Sequence, residues 1–149
     1  MKPNALPPPV QAFARAVGWG GFAGAAPFLM ISIPLGIGTL FSGDPGNAWW
    51  TGFFVIGLPL LVSLPIVLAA SLLLGLPLTA FLSSMGKETG QTYVVGGFLF
   101  GAAPFITLVL WLGEFGASFW ALPGSFGGAV TGWVWGRYRD ELLAEQSSD

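Results

Sequence analysis

The chain has 149 residues and a net charge of −2, with 54% hydrophobic and only 8% charged residues. Soluble domains carry about 25% charged residues, so this chain has too few charges to cover a water-facing surface, and a lipid bilayer is the solvent that suits it. Cys and His are both absent, which excludes disulfides, thiolate nucleophiles and the commonest metal-ligating side chain. The few Lys and Arg residues are scattered, and no basic run indicates nucleic acid binding.

Residues 1–17 are predicted to form a cytoplasmic N-terminal tail. Pro7, Pro8 and Pro9 favour the polyproline II conformation. The apolar residues Val10 and Val17, with an aromatic residue between them, recur at helical spacing. They predict a short helix at the membrane interface that leads into the first span.

Charged residues divide the remainder of the chain into long uncharged stretches. Each stretch exceeds the ~20 apolar residues that a helix needs to cross the hydrocarbon core. We therefore predict an all-α integral membrane domain over 18–136 with four transmembrane helices in an up-down bundle. The predicted spans are 18–41, 53–74, 93–112 and 115–136.

The second uncharged stretch is longer than one span requires. A continuous helix from Phe53 to Ser84 would be ~48 Å long at 1.5 Å per residue, whereas the hydrocarbon core is ~30 Å thick. Pro77 cannot continue the hydrogen-bond ladder of a helix. The sequence therefore predicts an end near Gly75–Pro77, and one long tilted helix is the alternative.

The basic residues set the orientation. With four spans, all five lie on one side: Lys2, Arg15, Lys87, Arg137 and Arg139. The opposite loops carry acidic residues and no Lys or Arg. The positive-inside rule then places both termini in the cytoplasm, including a polar tail over 137–149. The short loops and tails favour a bacterial inner membrane.

A short sequence match indicates an internal repeat. The segment Gly24-Ala25-Ala26-Pro27-Phe28 recurs as Gly101-Ala102-Ala103-Pro104-Phe105, and Gly20 matches Gly97 at the same offset. We interpret this as two duplicated hairpins, repeat 1 at about 18–85 and repeat 2 at about 93–136. They would be parallel repeats related by an axis along the membrane normal. Apolar composition also raises chance similarity, which is the alternative.

A second match falls in the two predicted outer loops. Asp44 precedes Trp50 at the same spacing by which Glu114 precedes Trp120. A carboxylate there can cap the next helix, and the indole can anchor it at the outer interface. The alternative is an acidic mouth that collects cations.

Glycines at intervals of four are the predicted helix-packing residues. Small residues let helix backbones approach closely inside a membrane. The predicted packing glycines are Gly20 and Gly24 in span one, Gly97 and Gly101 in span three, and Gly124, Gly128, Gly132 and Gly136 in span four. We expect contacts within the chain for spans one and three, whereas the span-four stripe could equally join two subunits.

Two matched prolines are predicted to bend their helices. Pro27 and Pro104 lie inside spans one and three, where neighbouring helices can satisfy the freed carbonyls. The bends would either improve packing or frame a cavity.

No catalytic, metal-binding or cofactor-binding residues are predicted, because the spans carry no acid, base or carboxamide. The chain is therefore predicted not to be an enzyme, and to be a structural or accessory component of a membrane complex. Its expected partners are the lipid bilayer and other membrane proteins or further copies of itself. A small oligomeric channel or transporter for a neutral or hydrophobic solute is the alternative, and lipid binding between helices cannot be separated from either.

Overall fold

A computed structural model of the protein describes residues 7–41, 47–86, 88–113 and 121–147. Every regular element among these residues is helical, as predicted. The elements are α1 (Pro9–Phe41), α2 (Ala48–Ala70), a π-helical segment (Ser71–Gly75), α3 (Leu76–Ser84), α4 (Gly90–Leu112) and α5 (Ala121–Gln146). Because α2, the π segment and α3 are continuous, the described residues form four helical rods.

The first rod, α1, starts where its proline can be accommodated. The N–H groups of Gln11 and Ala12 donate to the carbonyl of Pro8 at 2.9 and 3.1 Å. Pro9 is the first helical residue, where its missing N–H costs no hydrogen bond. The segment predicted as a short interfacial helix leading into the first span forms the first turns of α1, with no break before Gly18.

The second rod does not stop at Gly75–Pro77, so the prediction of an end there is wrong and its alternative of one long helix is correct. The N–H of Leu76 donates to the carbonyl of Ser71, five residues earlier. A proline in a regular α-helix removes one hydrogen bond and its ring clashes with the carbonyl four residues before it. The wider π turn just before Pro77 changes that local geometry, so the helix continues to Ser84.

The α4 helix has clear signals at both ends. The Oγ1 of Thr89 accepts a hydrogen bond from the N–H of Thr92 at 3.3 Å and caps the first turn. Gly113 follows the last turn with φ of 68°, and its N–H donates to the carbonyl of Val109 at 2.9 Å. Glycine adopts this left-handed conformation without the steric cost of a Cβ.

The helices α1 and α2 run antiparallel. Along α1 and α2, Gly36 lies against Gly52 while Gly21 lies against Leu64. The hydroxyl of Ser63 also donates to the carbonyl of Gly21 at 2.8 Å, which joins the two helices. A hydrogen bond between helices complements the close packing on which association in lipid depends.

The central helix of the bundle is α5. It packs against α4 along one side and against α1 along another, whereas the rod of α2 and α3 attaches mainly to α1. Toward α4 that rod approaches closely at Leu78, which lies against Gly96.

Three of the rods are long and apolar enough to cross a membrane: Pro9–Phe41, Trp49–Ser84 and Gly90–Trp111. These candidate spans indicate a membrane location. The α5 helix does not belong to this set, since its glycines and its charged final turns make it less apolar.

Candidate functional site

The α4–α5 interface brings four of the predicted packing glycines together. A Cβ added to Gly97 would collide with the carbonyl of Gly128, and one added to Gly128 would collide with the carbonyl of Gly97. Gly101 and Gly124 stand in the same relation. The two backbones therefore approach closely enough that no side chain fits between them.

The same interface continues toward the start of α4. A Cβ at Gly132 would collide with the carbonyl of Tyr93, and one at Gly136 would lie 2.9 Å from the Cα of Gly90. The stripe on span four, which the sequence left open between internal and intersubunit contact, thus lies against α4 of the same chain.

The glycines of α1 face another side of α5. A Cβ at Gly20 would lie 2.8 Å from the carbonyl oxygen of Gly127, and one at Gly24 would lie 3.4 Å from that of Pro123. The matched glycines of α1 and α4 therefore flank one helix, α5, instead of each serving its own hairpin. The proposed duplication rests on the sequence match alone.

The remaining predicted residues do not converge. Pro104 lines a cavity between the helices, whereas Pro27 lies on an exposed face of α1. Trp50, in the first turn of α2, is 80% exposed. The other members of the outer-loop motif, Asp44, Glu114 and Trp120, lie outside the described residues.

A buried ion pair, which sequence reasoning missed, joins α5 to the segment before α4. The Nη2 of Arg139 lies 2.8 and 2.7 Å from the two carboxylate oxygens of Glu88. The Glu88 side chain is only 6% exposed and that of Arg139 only 20%. Such a pair interacts more strongly than one in water, although its charges lose hydration.

Two further side chains extend this cluster. The hydroxyl of Tyr93 donates to Glu88 Oε1 at 2.9 Å. On the neighbouring turn of α5, Trp135 Nε1 donates to Thr79 Oγ1 at 3.2 Å and so connects α5 to α3. Burial alone would lower the pKa of the Arg139 guanidinium, but the hydrogen bond and the negative charge of Glu88 outweigh it and raise that pKa above its ordinary value.

A cavity of about 100 Å³ lies beside this cluster, between the α2–α3 rod and the α4–α5 pair. Its polar groups are few, and several of them, including Thr79, Tyr93 and Trp135, belong to the end near the ion pair. The rest of the lining is apolar or glycine, including Ile66, Val67, Leu74, Phe100, Gly101 and Phe105.

This arrangement offers little acid–base or metal chemistry. The carboxylate of Glu88 is held by a guanidinium and a phenol hydroxyl. In the described part of the chain, no three acidic side chains lie close enough together to hold a metal ion. What the site does offer is an apolar space with hydrogen-bonding groups at one end.

Comparison with known proteins adds no assignment: no family model, curated protein or solved structure matches the chain.

The sequence contains a partial signal for the missed cluster. Glu88 and Arg139 carry opposite charges and flank spans three and four on the same predicted side of the membrane. Residue order does not indicate whether Arg137 or Arg139 faces inward. The structure shows that difference, because Arg137 is 64% exposed and lies 3.9 Å from the exposed Glu141.

Proposed function

We propose that the protein is a non-catalytic multi-pass membrane protein that serves as a structural or accessory component of a membrane complex. It crosses a cell membrane of the bacterial inner-membrane type four times, with both termini in the cytoplasm. The three apolar rods support the membrane location. The antiparallel packing of α5 on α4 supports a fourth crossing, since a helix enclosed by other helices need not be apolar on every side.

The observation that carries this proposal is the free outer face of the second rod. None of the most apolar 18-residue window of Trp49–Ser84 is buried within the chain. Four aromatic side chains crowd its first turns, each at least 60% exposed: Trp49, Trp50, Phe53 and Phe54. Aromatic residues are enriched where protein surfaces bind one another, so this aromatic face suits contact with a partner's membrane helix.

The lack of available chemistry supports a non-catalytic role. The sequence contains no Cys or His. The carboxylate of Glu88 is already engaged by the Arg139 guanidinium and by the Tyr93 hydroxyl. Close glycine packing and a buried ion pair instead favour a rigid bundle that presents a surface.

Gentle extraction of the tagged full chain, followed by native mass spectrometry, tests this role. We expect stoichiometric partner proteins with the native chain, and their loss in the Trp50→Ala/Phe54→Ala variant. Leu110→Ala is the matched control, because Leu110 is 80% exposed and belongs to α4, whereas the aromatic face belongs to α2. Purification without partners, or partners that remain bound to the double variant, would contradict the proposal.

The cavity favours one second candidate, a channel or transporter for a neutral or hydrophobic solute. Its mostly apolar lining, with several polar groups near the ion pair, would suit such a solute. Stopped-flow swelling of proteoliposomes in glycerol gives a first measurement. Swelling no faster than that of protein-free vesicles would argue against passive conduction of a small neutral solute.

A further inference from the structure

We propose that the cavity between the α2–α3 rod and the α4–α5 pair binds one hydrocarbon chain of a membrane lipid. The end of that chain nearest the lipid headgroup would lie near Thr79, Tyr93 and Trp135. This site depends on the membrane location of the protein but not on its accessory role.

The shape of the cavity suits an unbranched chain. Its lining on α4 extends from Tyr93 to Phe105, a rise of about 18 Å at 1.5 Å per residue. That is more than half the ~30 Å thickness of the hydrocarbon core. The cavity is therefore a slot elongated along α4, a shape that accommodates a flexible chain better than a rigid ring.

Water is poorly suited to this slot. A buried water typically needs two to four polar partners. The hydroxyl of Thr131 donates to the carbonyl of Gly127 at 2.8 Å, and that of Thr79 donates to the carbonyl of Gly75 at 3.0 Å. These hydroxyls and the indole N–H of Trp135 already donate their protons, so they can offer water only acceptor lone pairs, and most of the remaining lining is apolar or glycine.

An empty slot is also unfavourable, because its lining atoms lack van der Waals partners on one side. Methylene groups from the surrounding bilayer supply those contacts without any hydrogen bond. Glycines of α4 and α5, such as Gly97, Gly101, Gly128 and Gly132, provide a floor without side chains. The side chains of Ile66, Val67 and Leu74 form an apolar wall opposite.

The two ends of the slot differ in chemistry, which sets the orientation of the lipid. Tyr93 and Trp135 lie beside the Glu88–Arg139 pair, at the end predicted to face the cytoplasm. Tyr and Trp side chains prefer the level of the lipid headgroups. At the other end, Pro104 and Phe105 offer only apolar contact. The lipid would therefore come from the cytoplasmic leaflet.

A glycine on the cavity wall provides the test variant. A Cβ added at Gly75 would meet only the Cβ of Ser71 at 3.8 Å, so a larger side chain can enter the slot. The Gly75→Leu substitution should occupy the space that the lipid chain would fill. Gly38→Leu is the matched control, since nothing lies within 4 Å of a Cβ at Gly38, on an exposed face of α1.

The full chain would be reconstituted in phosphatidylcholine vesicles that contain a trace of phosphatidylcholine with a diazirine midway along one acyl chain. After irradiation, mass spectrometry of peptides compares adducts at Phe100, in the slot, with adducts at Leu110, on the exposed face of α4. We expect Gly75→Leu to lower the Phe100 adduct roughly fivefold, the change produced by about 1 kcal/mol of lost binding. The Leu110 adduct should stay constant, and Gly38→Leu should change neither.

If Gly75→Leu does not fold, Ala70→Phe fills the same cavity from α2. An unlabelled Phe100 in the native chain, or equal labelling of Phe100 in the native chain and a folded cavity-filling variant, would overturn the proposal. Native mass spectrometry adds a second readout. One retained phospholipid per native chain and none in Gly75→Leu supports the site, whereas a lipid-free dimer would mean that protein fills the slot. Co-purification of partner proteins is a separate result and tests only the accessory role.

Discussion

Arg139 and Glu88 connect the end of α5 to the start of α4 through a largely buried pair. The pair joins residues far apart in sequence, and the Tyr93 hydroxyl adds a third group to it. The pair stabilises the fold only when both charges are present. A single buried charge still loses its hydration but gains no attraction from a partner.

Replacing Arg139 with Met should therefore destabilise the protein strongly. The substitution leaves the Glu88 carboxylate, 6% exposed, without its guanidinium. We expect a loss of about 3–5 kcal/mol, the usual cost of breaking a buried pair by removing one partner. Thermal unfolding of the detergent-solubilised variant, followed by circular dichroism, measures this loss.

Two further variants separate charge burial from general disturbance of α5. Arg137→Met removes an exposed arginine two positions earlier, whose partner Glu141 is 54% exposed, and should cost about 1 kcal/mol or less. Adding Glu88→Gln to Arg139→Met removes the stranded charge and keeps an acceptor for Tyr93, so most of the stability should return. Equal losses from Arg137→Met and Arg139→Met would contradict the role of the buried pair.

At the scale of the element, α5 shows why hydropathy and position in the bundle can disagree. Glycine and serine fill much of its buried surface, including Ser125, Gly127 and Gly132. A helix enclosed by α1 and α4 gains more from close backbone approach than from large apolar side chains, because lipid already solvates apolar groups well. Its low hydropathy therefore follows from its central position.

The same substitution should have opposite effects at two glycines. Gly128→Ala places a methyl group against the carbonyl of Gly97, so α4 and α5 must separate, and overpacking of this kind costs about 1–3 kcal/mol. Gly38→Ala meets nothing within 4 Å and should stabilise α1 by about 0.5–1 kcal/mol through helix propensity alone.

Thermal unfolding in detergent compares these two alanine variants, with size-exclusion chromatography as a check on oligomeric state. We expect Gly128→Ala to lower the melting temperature and to leave the oligomeric state unchanged, because Gly128 contacts Gly97 of the same chain. A change in oligomeric state at unchanged melting temperature would place the span-four stripe between subunits instead.

Composition and the lengths of the uncharged stretches predicted the helical class and the approximate positions of the rods, because a helix that crosses a bilayer needs a long uncharged segment. They favoured a helix end near Pro77, whereas the helix continues. A π turn depends on one displaced hydrogen bond and leaves no pattern in residue order. The buried pair was also missed. Which of Arg137 and Arg139 faces inward depends on the rotation of α5, and packing sets that rotation.

At the scale of the whole molecule, the bundle is asymmetric. One helix, α5, contacts both α1 and α4, while the α2–α3 rod leans on α1 and leaves a slot beside α4. Two equivalent hairpins related by an axis would make equivalent contacts on both sides. The asymmetry explains why the cavity lies on one side of the bundle.

Single introduced cysteines test the proposed four crossings, because the sequence contains no cysteine of its own. Four crossings require the end of α5 at Ser147 to lie on the side of Ser84, opposite Asn47 and Gly113. In intact cells, an impermeant maleimide should label Asn47→Cys and Gly113→Cys but neither Ser84→Cys nor Ser147→Cys. Permeabilised cells provide the control, and all four variants should react there.

A different labelling pattern would indicate three crossings instead of four. If α5 lies on the outer surface instead of crossing, Ser147→Cys reacts in intact cells together with Gly113→Cys, and only the three apolar rods span the membrane. In that topology Arg139 and Glu88 would lie on opposite sides of the membrane. Their contact could then not form in the membrane-embedded protein. Labelling of Ser147→Cys only after permeabilisation is the result expected if the Glu88–Arg139 contact, with 2.7 Å between Arg139 Nη2 and Glu88 Oε2, brings the end of α5 back to the side on which α4 begins.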